Sequence, residues 1–469
     1  MTLSEVLSDF GLRPDVTDIP SSAYEAAKKL LLDATGCAIA GQQEPGVRQA
    51  VEQAEAWGGK KEATIIGRGT KVPAPNAVFA NAAMTHALDY DDVYIPGTLH
   101  ITSIIVPIML AAQEMSETSG KKALAAMIMG IEVAGRLSMA ERGRRRGMGF
   151  LPTSLAGSFG AVLTVARLLG LDRRECVNAM GINYAQVSGN RQALLDSTLT
   201  KRMQPGFAAR SALWSTTMAA RGVTGPERAL DGEAGYFSVY MNGDAPEAEE
   251  LTKEREWLQV ERVAIKRWPS CGACHHAQAA AEKLREEEDL RPEQIAGVEL
   301  FGCGPGGLVG NPFRIGENPQ VDAQFSVAWG VAHTLLRGPA SLRDYTNENV
   351  RDDTEVAEFA NEIAHIKPPD EMEPIAEQPL DYPDRSRYPQ GLVVHLQDGR
   401  RLVRRQCPCQ TFAPGNATFK EIVQKFKDCA EFSGNFPPDR TDQIVDLIDR
   451  FEKVDDVRQL MALLTAEGN

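Results

Sequence analysis

The residues with the clearest chemical potential form a short acidic segment between two histidines. It reads His86-Ala-Leu-Asp-Tyr-Asp-Asp92, and His100 follows shortly after it. Three carboxylates so close together repel one another. The preceding run, Phe79–Leu88, is mostly apolar, so solvation explains the cluster poorly. Because carboxylates and imidazoles transfer protons, the segment predicts a catalytic or substrate-binding site, with a metal site or a solvated loop as alternatives.

Two basic segments could supply binding groups for an anion. Lys201 and Arg202 precede Pro205, at which the composition predicts the start of a helix. Free backbone N–H groups at a helix start attract anions, and nearby cations strengthen the attraction. A second basic pair begins at Lys266, after a strand-like stretch over Val260–Lys266. A solvated loop remains the alternative for the first pair.

The segment after Lys266 also carries a possible zinc motif. Cys271, Cys274 and His275 have a spacing that fits part of a zinc site. Cys407 and Cys409 could complete the ligand set, but they lie far along the chain and lack the C-x-x-C spacing. The sequence therefore favours a site without metal, and structural zinc stays the less favoured alternative.

The composition limits the classes of partner. The chain has 469 residues, a formal net charge of −14 and eight scattered cysteines, which form no disulfide pattern. An acidic protein is a poor match for nucleic acid, since phosphate neutralisation needs a basic surface. We find no apolar run long enough to span a bilayer and no secretory signal. These features predict a cytoplasmic protein that binds neither nucleic acid nor membrane.

The pattern of elements predicts a mainly α protein. Helical signals follow one another through the first half, with short connections, and indicate one all-helical core. Near residue 259 strand signals appear, and Asp398-Gly399 between two β-rich runs predicts a hairpin. Between them, Ala323–Leu336 looks like one helix. We therefore expect a large all-helical domain over residues 1–258, completed by C-terminal helices over 409–469, and a smaller α+β domain over 259–408.

Ordered motifs along the chain resemble one known family. They are the acidic phrase His86–Asp92, Gly157-Ser-Phe-Gly160, Lys201-Arg-x-x-Pro-Gly206, Lys266-x-x-Pro-Ser-Cys271 with His275, Ala323-Gln-Phe-Ser326 and Lys425-Phe426. Together they look like the MmgE/PrpD family, which includes 2-methylcitrate dehydratase, cis-aconitate decarboxylase and iminodisuccinate epimerase. The resemblance implies a homodimer with a site between its two kinds of domain, no metal and no organic cofactor.

The resemblance also implies which residues form the site. The residues that match its active-site segments, and that we predict to be catalytic, are Asp89, His100, Lys201, Lys266 and His275. The neighbours that we predict to bind substrate are Arg202, Asp92, Tyr90 and Ser270. In this prediction the lysines hold carboxylates of a small anionic substrate. Asp89, His100 or His275 accepts a proton from the adjacent carbon.

The sequence leaves the type of reaction open. Leu151 stands where family members often carry histidine, and Val93 stands where the decarboxylase carries threonine. Our first hypothesis is a cofactor-independent lyase of the hydro-lyase type that acts on a small di- or tricarboxylate. The alternatives are an isomerase or epimerase on a similar acid and a catalytically inactive relative, since fold alone does not establish activity.

Overall fold

The computed structural model describes residues 1–141, 144, 149–253, 258–302, 309–310, 312–369, 390–406 and 417–465. Helices form most of this part of the chain. Those before residue 260 are α1 Leu3–Leu12, α2 Ser21–Gly41, α3 Val47–Trp57, α4 Ala74–His86, α5 Thr102–Met115, α6 Gly120–Glu141, α7 Pro152–Leu169, α8 Arg173–Tyr184, α9 Gln192–Leu195, α10 Thr200–Ala219, α11 Tyr236–Tyr240 and α12 Ala248–Thr252. The mainly α prediction agrees with this architecture.

The rest of the chain adds shorter helices and a small sheet. The helices are α13 His275–Glu287, α14 Pro319–Gln324, α15 Val327–Leu336, α16 Asn347–Asp352, α17 Thr354–Glu362, α18 Phe419–Ser433, α19 Pro438–Asp449 and α20 Arg458–Leu463. The strands are β1 Ala63–Thr64, β2 Lys71–Val72, β3 Ile295–Phe301, β4 Ala364–Ile366, β5 Gln390–Leu396 and β6 Arg401–Gln406. The last four form one sheet in the order β4-β3-β5-β6, and β3 is parallel to β4 but antiparallel to β5.

Two hydrophobic cores organise these elements. The larger core contains residues from Leu3 to Ile265 and, again, from Ile422 to Leu464, so α18 to α20 pack on the N-terminal helices. The smaller core contains residues from Cys271 to Leu396 and joins the sheet to α13 and α15. Lys266, one of the predicted site residues, lies in the chain between Ile265 of the larger core and Cys271 of the smaller one.

Close helix packing brings α10 against α4. Gly206 of α10 lies so near α4 that an added Cβ would sit 2.7 Å from the backbone oxygen of Phe79. Only glycine allows this approach without displacement of the backbone. The contact fixes the first turn of α10, which carries Lys201 and Arg202, beside the end of α4.

The structure corrects three local predictions. Helix α10 begins at Thr200, so Lys201 and Arg202 lie in its first turn and Pro205 lies inside the helix. The stretch Val260–Lys266 is not a strand: it contains a 3₁₀ turn and one isolated bridge, between Ala264 and Val93. The predicted helix Ala323–Leu336 is two helices, because Ser326 caps α15 by accepting a hydrogen bond from Trp329 N at 3.1 Å.

Two helices would be long and apolar enough to cross a membrane. These are Gly120–Glu141 and Pro152–Leu169, and 94% and 83% of their apolar windows are buried inside the protein. Both contribute side chains to the larger core. Such burial is typical of helices in the core of a globular protein.

Candidate active site

Asp89 lies in a left-handed turn directly after α4. Its φ is +51°, and its backbone N–H donates to the oxygen of His86 at 3.3 Å. Aspartate visits this region more readily than most residues, because its short polar side chain can form local hydrogen bonds. Asp89, Asp91 and Asp92 are each no more than 1% exposed. The turn therefore directs three buried carboxylates to three different sets of partners.

Two lysine ammonium groups hold the Asp89 carboxylate. Lys266 Nζ donates to Asp89 Oδ1 and to the backbone oxygen of Asp89, both at 2.7 Å. Lys201 Nζ lies 3.1 Å from Asp89 Oδ2. Burial alone would raise the pKa of this carboxyl group, but Lys201 and Lys266 outweigh burial and hold the pKa of Asp89 well below its usual range. Asp89 is therefore ionised at neutral pH and is a weak proton acceptor.

Lys201 and Arg202 differ in how much of their donor capacity is used. Among the described residues, Asp89 is the anion within ion-pair distance of Lys201, whose ammonium group has three N–H donors. Burial lowers the pKa of Lys201, while Asp89 opposes this shift. Arg202 donates from Nη1 to Pro45 O at 3.1 Å and from Nη2 to Gln320 Oε1 at 2.9 Å. Lys201 can thus offer more hydrogen bonds to a ligand than its present contact uses.

The carboxylate of Asp91 lies between two imidazoles. Asp91 Oδ2 is 2.8 Å from His86 Nδ1 and 3.8 Å from His100 Nδ1, and the two ring centroids are 4.9 Å apart. His100 Nδ1 also lies 2.7 Å from the backbone oxygen of Asp92. Because a carbonyl oxygen only accepts, this nitrogen carries the hydrogen and Nε2 has the lone pair. Burial lowers the pKa of both histidines, that of His100 to about 3, so both rings are neutral at pH 7.

Asp92 caps the start of α5. Its Oδ2 accepts from Ile101 N at 3.2 Å and its Oδ1 accepts from Thr102 N at 3.0 Å, with a further bond from the Thr102 hydroxyl. Burial and the neighbouring Asp91 raise its pKa to about 7 against these hydrogen bonds. The structure thus places Asp92 in support of α5 and of His100, and its contact with a substrate stays a prediction.

A small closed cavity lies beside Asp89, where α4 and α10 face α14. Its volume is about 10 Å³, which admits one water molecule at most. Gln324 Nε2 is buried and has no hydrogen-bond partner among the residues that the structure describes. The cavity is lined by His86, Ala87, Asp89, Thr198, Lys201, Arg202, Val321, Gln324 and Phe325. A ligand larger than water therefore needs more space than this cavity provides in the present structure.

Two further predicted residues lie outside this lining. His275 begins α13, is buried, and packs edge-on against Trp268 with ring centroids 5.1 Å apart. Burial and the nearby Lys266 hold the pKa of His275 well below its usual value. Ser270 donates to Gln278 Oε1 at 3.2 Å. Both residues support the segment that carries Lys266, and their predicted direct roles are not tested by these contacts.

Lys425 of α18 connects the segments that carry Asp89 and Lys266. Its Nζ donates to Tyr90 O at 2.7 Å and to Lys266 O at 3.0 Å, and it lies 2.6 Å from Asp33 Oδ1. The same ammonium group lies 3.7 Å from the centroid of the Tyr90 ring. Tyr90 is therefore held by Lys425 in this structure, away from the lining of the cavity. Its predicted contact with substrate remains a prediction.

The side chains near Asp89 could also be considered as metal ligands. His86, Asp89, Asp91 and His100 each offer one ligand atom, and these atoms lie within 4.8 Å of one another. However, the ammonium groups of Lys201 and Lys266 already bind the Asp89 carboxylate. A divalent cation bound to Asp89 would have to displace these two positive charges or lie beside them, so the donor set fits a metal poorly.

The predicted zinc ligands can be placed only in part. Cys271 and Cys274 are buried free thiols in the structure. Cys407 and Cys409 lie outside the described residues. Burial raises the pKa of the Cys271 thiol, which disfavours the thiolate that zinc requires.

Sequence reasoning did not select His86 or Gln324 as site residues, although both line the cavity. Both stand inside motifs that the sequence analysis quoted, the acidic phrase and Ala323-Gln-Phe-Ser326. Their positions in the motifs were therefore a usable signal. The cavity forms where distant segments of the chain meet. The motifs alone therefore do not show which of their residues line it.

Comparison with known families now identifies the relationship. The model of the MmgE/PrpD N-terminal domain matches residues 5–249, and that of the MmgE/PrpD C-terminal domain matches residues 268–450. The chain belongs to the MmgE/PrpD family. This confirms the resemblance predicted from the motifs, and it supports an enzyme of lyase type.

Several relatives of this MmgE/PrpD protein are named for decarboxylation of cis-aconitate. Human cis-aconitate decarboxylase is 23% identical over 96% of this chain and 92% of its own length. The cis-aconitate decarboxylase-like protein oryM of Aspergillus oryzae is 29% identical, but the match spans 57% of this chain and 58% of that protein. Cis-aconitate decarboxylase of Aspergillus terreus is also 29% identical, over 57% of each chain. At these identities the reaction and the substrate of this protein are matters for proposal.

Proposed function

We propose that this MmgE/PrpD protein is a lyase of the hydro-lyase type that acts on a small di- or tricarboxylate without a metal or organic cofactor. The observation that carries the proposal is the buried arrangement of Lys201 and Lys266 on one carboxylate, Asp89, at the wall of a cavity. Buried ammonium groups with unused donors are suited to bind a carboxylate ligand. The family relationship supports the same class of reaction.

The cavity offers a group of donors for one substrate carboxylate. Lys201 has unused N–H donors, Gln324 Nε2 is buried without a partner among the described residues, and the Arg202 guanidinium lines the same wall. A carboxylate accepts hydrogen bonds from all three kinds of group, and the charged bonds are the stronger ones. Entry of the ligand requires residues of the lining to move, since the present cavity of about 10 Å³ is too small.

The chemistry then follows from the charges around that carboxylate. Removal of a proton from the adjacent carbon places the C–H electron pair on the carboxylate as an enediolate. Lys201 stabilises this developing charge because it already lies at the wall before the reaction begins. Asp89 is a poor base, because Lys201 and Lys266 lower its pKa and so disfavour its protonation. Its role in the proposal is to position both ammonium groups, and a neutral imidazole accepts the proton.

Two candidate reactions differ in the fate of the enediolate: loss of a hydroxide from the next carbon gives dehydration, and return of a proton on the other face gives epimerisation. Decarboxylation is a separate route, because the C–C bond to a carboxylate breaks instead of the C–H bond: carbon dioxide leaves, the electron pair stays on the substrate, and a proton is then added to carbon. The names of the relatives favour decarboxylation as the second candidate. Leu151, which replaces a histidine frequent in the family, precedes α7, and Thr153 of α7 accepts a hydrogen bond from His100 N at 3.0 Å. Leu151 supplies no acid group at this position, which keeps epimerisation as an alternative outcome.

The deciding experiment follows three acids in heavy water by proton NMR and ultraviolet absorbance. The acids are citrate, 2-methylcitrate and cis-aconitate. A new conjugated alkene from a hydroxy acid supports dehydration, release of carbon dioxide from cis-aconitate supports decarboxylation, and deuterium incorporation without net conversion supports epimerisation. Absence of all three signals for the folded wild type would overturn the proposal.

The predicted partners remain proposals as well. We propose that the chain of 51.0 kDa forms a homodimer in solution. Light scattering after size-exclusion chromatography should then give about twice this mass, and the mass of one chain would contradict it. A cytoplasmic location stays a prediction from the sequence.

A further inference from the structure

We infer that His86, paired with Asp91, is the general base of this site, an inference that rests on the proposed function. His86 is the histidine that lines the cavity together with Asp89, Lys201 and Arg202. Its Nδ1 lies 2.8 Å from Asp91 Oδ2, and its side chain is 3% exposed. The ring is thus buried, oriented by a carboxylate, and placed at the wall where the donors for a substrate converge.

The other histidines near the site do not share this position. His100 commits Nδ1 to the backbone oxygen of Asp92 and does not line the cavity, and His275 packs edge-on against Trp268. Both remain in the surroundings of the lysines. Among the imidazoles in the described part of the chain, His86 is therefore the one that lines this cavity in the present structure.

Asp91 determines which nitrogen of His86 can act. An ionised carboxylate only accepts hydrogen bonds, so His86 Nδ1 carries a hydrogen and donates it to Asp91. Nε2 then has the lone pair and is the nitrogen available to accept a proton. Asp91 is fully buried and is ionised because His86 and His100 hold its pKa below the usual range against the effect of burial. It can stabilise the imidazolium ion that forms, as the acid of a catalytic triad does.

The proton transfer is balanced by groups that are present in the site. The C–H bond next to the substrate carboxylate breaks, its electron pair moves onto that carboxylate, and the proton forms a new N–H bond at His86 Nε2. Lys201 neutralises the added negative charge and Asp91 the added positive charge. In heavy water the imidazolium exchanges its proton with solvent, and reversal of the transfer leaves deuterium on the carbon.

The test compares His86→Gln with wild type and with His395→Gln, a control at a histidine whose side chain is 43% exposed and pairs with Glu299 on the sheet. The assay is deuterium uptake or turnover with whichever of citrate, 2-methylcitrate and cis-aconitate the wild type converts. Calorimetry measures binding of tricarballylate, which has the carboxylates but no leaving group. We expect kcat to fall by about 100-fold or more with His86→Gln, while the tricarballylate Kd stays within about threefold. His395→Gln should change neither quantity.

A second variant and an NMR signal that does not depend on turnover test the inference even if His86→Gln fails to fold. Asp91→Asn should keep the ring but lower kcat at least about tenfold, because the amide no longer fixes the tautomer. In the wild type, the His86 Nδ1 proton should give a far-downfield proton NMR signal that Asp91→Asn removes and that saturating tricarballylate shifts. A kcat near the wild-type value in folded His86→Gln, or a downfield signal that saturating tricarballylate leaves unchanged, would overturn the inference. Conversion of none of the acids by the wild type, together with a shifted signal, would instead count against the proposed function alone.

Discussion

Replacement of Lys425 by methionine should destabilise the protein because it removes the charge that keeps Asp33 paired in the interior. Lys425 Nζ lies 2.6 Å from Asp33 Oδ1, and both side chains are buried, with 9% and 0% exposure. Burial opposes the charged ammonium group, but Asp33 outweighs it and raises the pKa of Lys425. Loss of one partner from a buried pair costs about 3–5 kcal/mol. The carbonyl oxygens of Tyr90 and Lys266 also lose their donor, at about 1 kcal/mol each.

The assay is a double-mutant cycle in urea with Lys425→Met, Asp33→Asn and the double variant. The free energy of unfolding of the double variant should exceed the additive expectation by about 2 kcal/mol or more, since no uncompensated charge remains in it. Lys427→Met in the same helix is the matched control: its pair with Asp442 is exposed, so we expect a change below about 1 kcal/mol. Additivity within about 0.5 kcal/mol would refute the claim that Lys425 and Asp33 stabilise the protein as a pair.

The same variants test whether Lys425 positions the site. Lys425 donates to Tyr90 O and Lys266 O, the backbones on either side of the Asp89–Lys266 pair. The double variant should therefore regain stability without regaining full kcat, since both carbonyl contacts are still missing. A double variant that is stable and fully active would show that the contacts from Lys425 have no influence on catalysis.

Three further predictions concern binding and pH. Lys201→Met should raise the Kd of tricarballylate by about 10- to 100-fold, because a hydrogen bond to a charged group contributes about 1.5–3 kcal/mol. Calorimetry measures this Kd, and an unchanged value would show that no carboxylate of the ligand binds Lys201. Gln324→Leu should raise the same Kd by about tenfold with little change in kcat, since we expect the amide to contact the ligand equally before and during the reaction. A lower kcat with an unchanged Kd would contradict a role of Gln324 in ligand binding. Burial lowers the pKa of His276 to about 4. The unfolded chain therefore binds a proton that the folded one excludes between about pH 4 and 6.5, and stability should fall as the pH drops through this window. In urea unfolding at pH 7 and 4.5, His276→Gln should remove about 2–3 kcal/mol of this loss of stability, and a loss of the same size in the variant would contradict the prediction.

Local sequence chemistry predicted the hairpin of the small sheet well. The expected turn at Asp398-Gly399 joins β5 and β6, and Gly399 has a φ of +87°. The turn depends on two adjacent residues whose backbone preferences are strong. It could therefore be predicted without knowledge of the rest of the fold.

Two predictions about helix bounds were wrong, and both affect residues at the cavity: Lys201 and Gln324. Pro205 suggested a helix start, but α10 begins at Thr200, and this places Lys201 on the turn next to Asp89. The apolar run Ala323–Leu336 hid the cap at Ser326 that separates α14 from α15. The break leaves Gln324 at the end of α14, where its amide reaches the cavity. The Ser326 cap is a local signal that the apolar run obscured, and the start of α10 lies five residues before the proline that marked it in the sequence.

The roles of the site residues could not be predicted from their types, because they depend on pairs that are far apart in sequence. Asp89 looked like a possible base until its partners were known. Lys266, 177 positions away, and Lys201 together hold it ionised, so it can position ammonium groups but accepts a proton poorly. His86 is the opposite case: in the sequence it marked only the start of the acidic segment and was not selected as a base. Its contact with Asp91 and its place in the cavity wall are the two observations on which the proposal of His86 as the base depends. The resemblance could therefore nominate residues for the site, whereas the division of labour among them follows from geometry that only the folded chain provides.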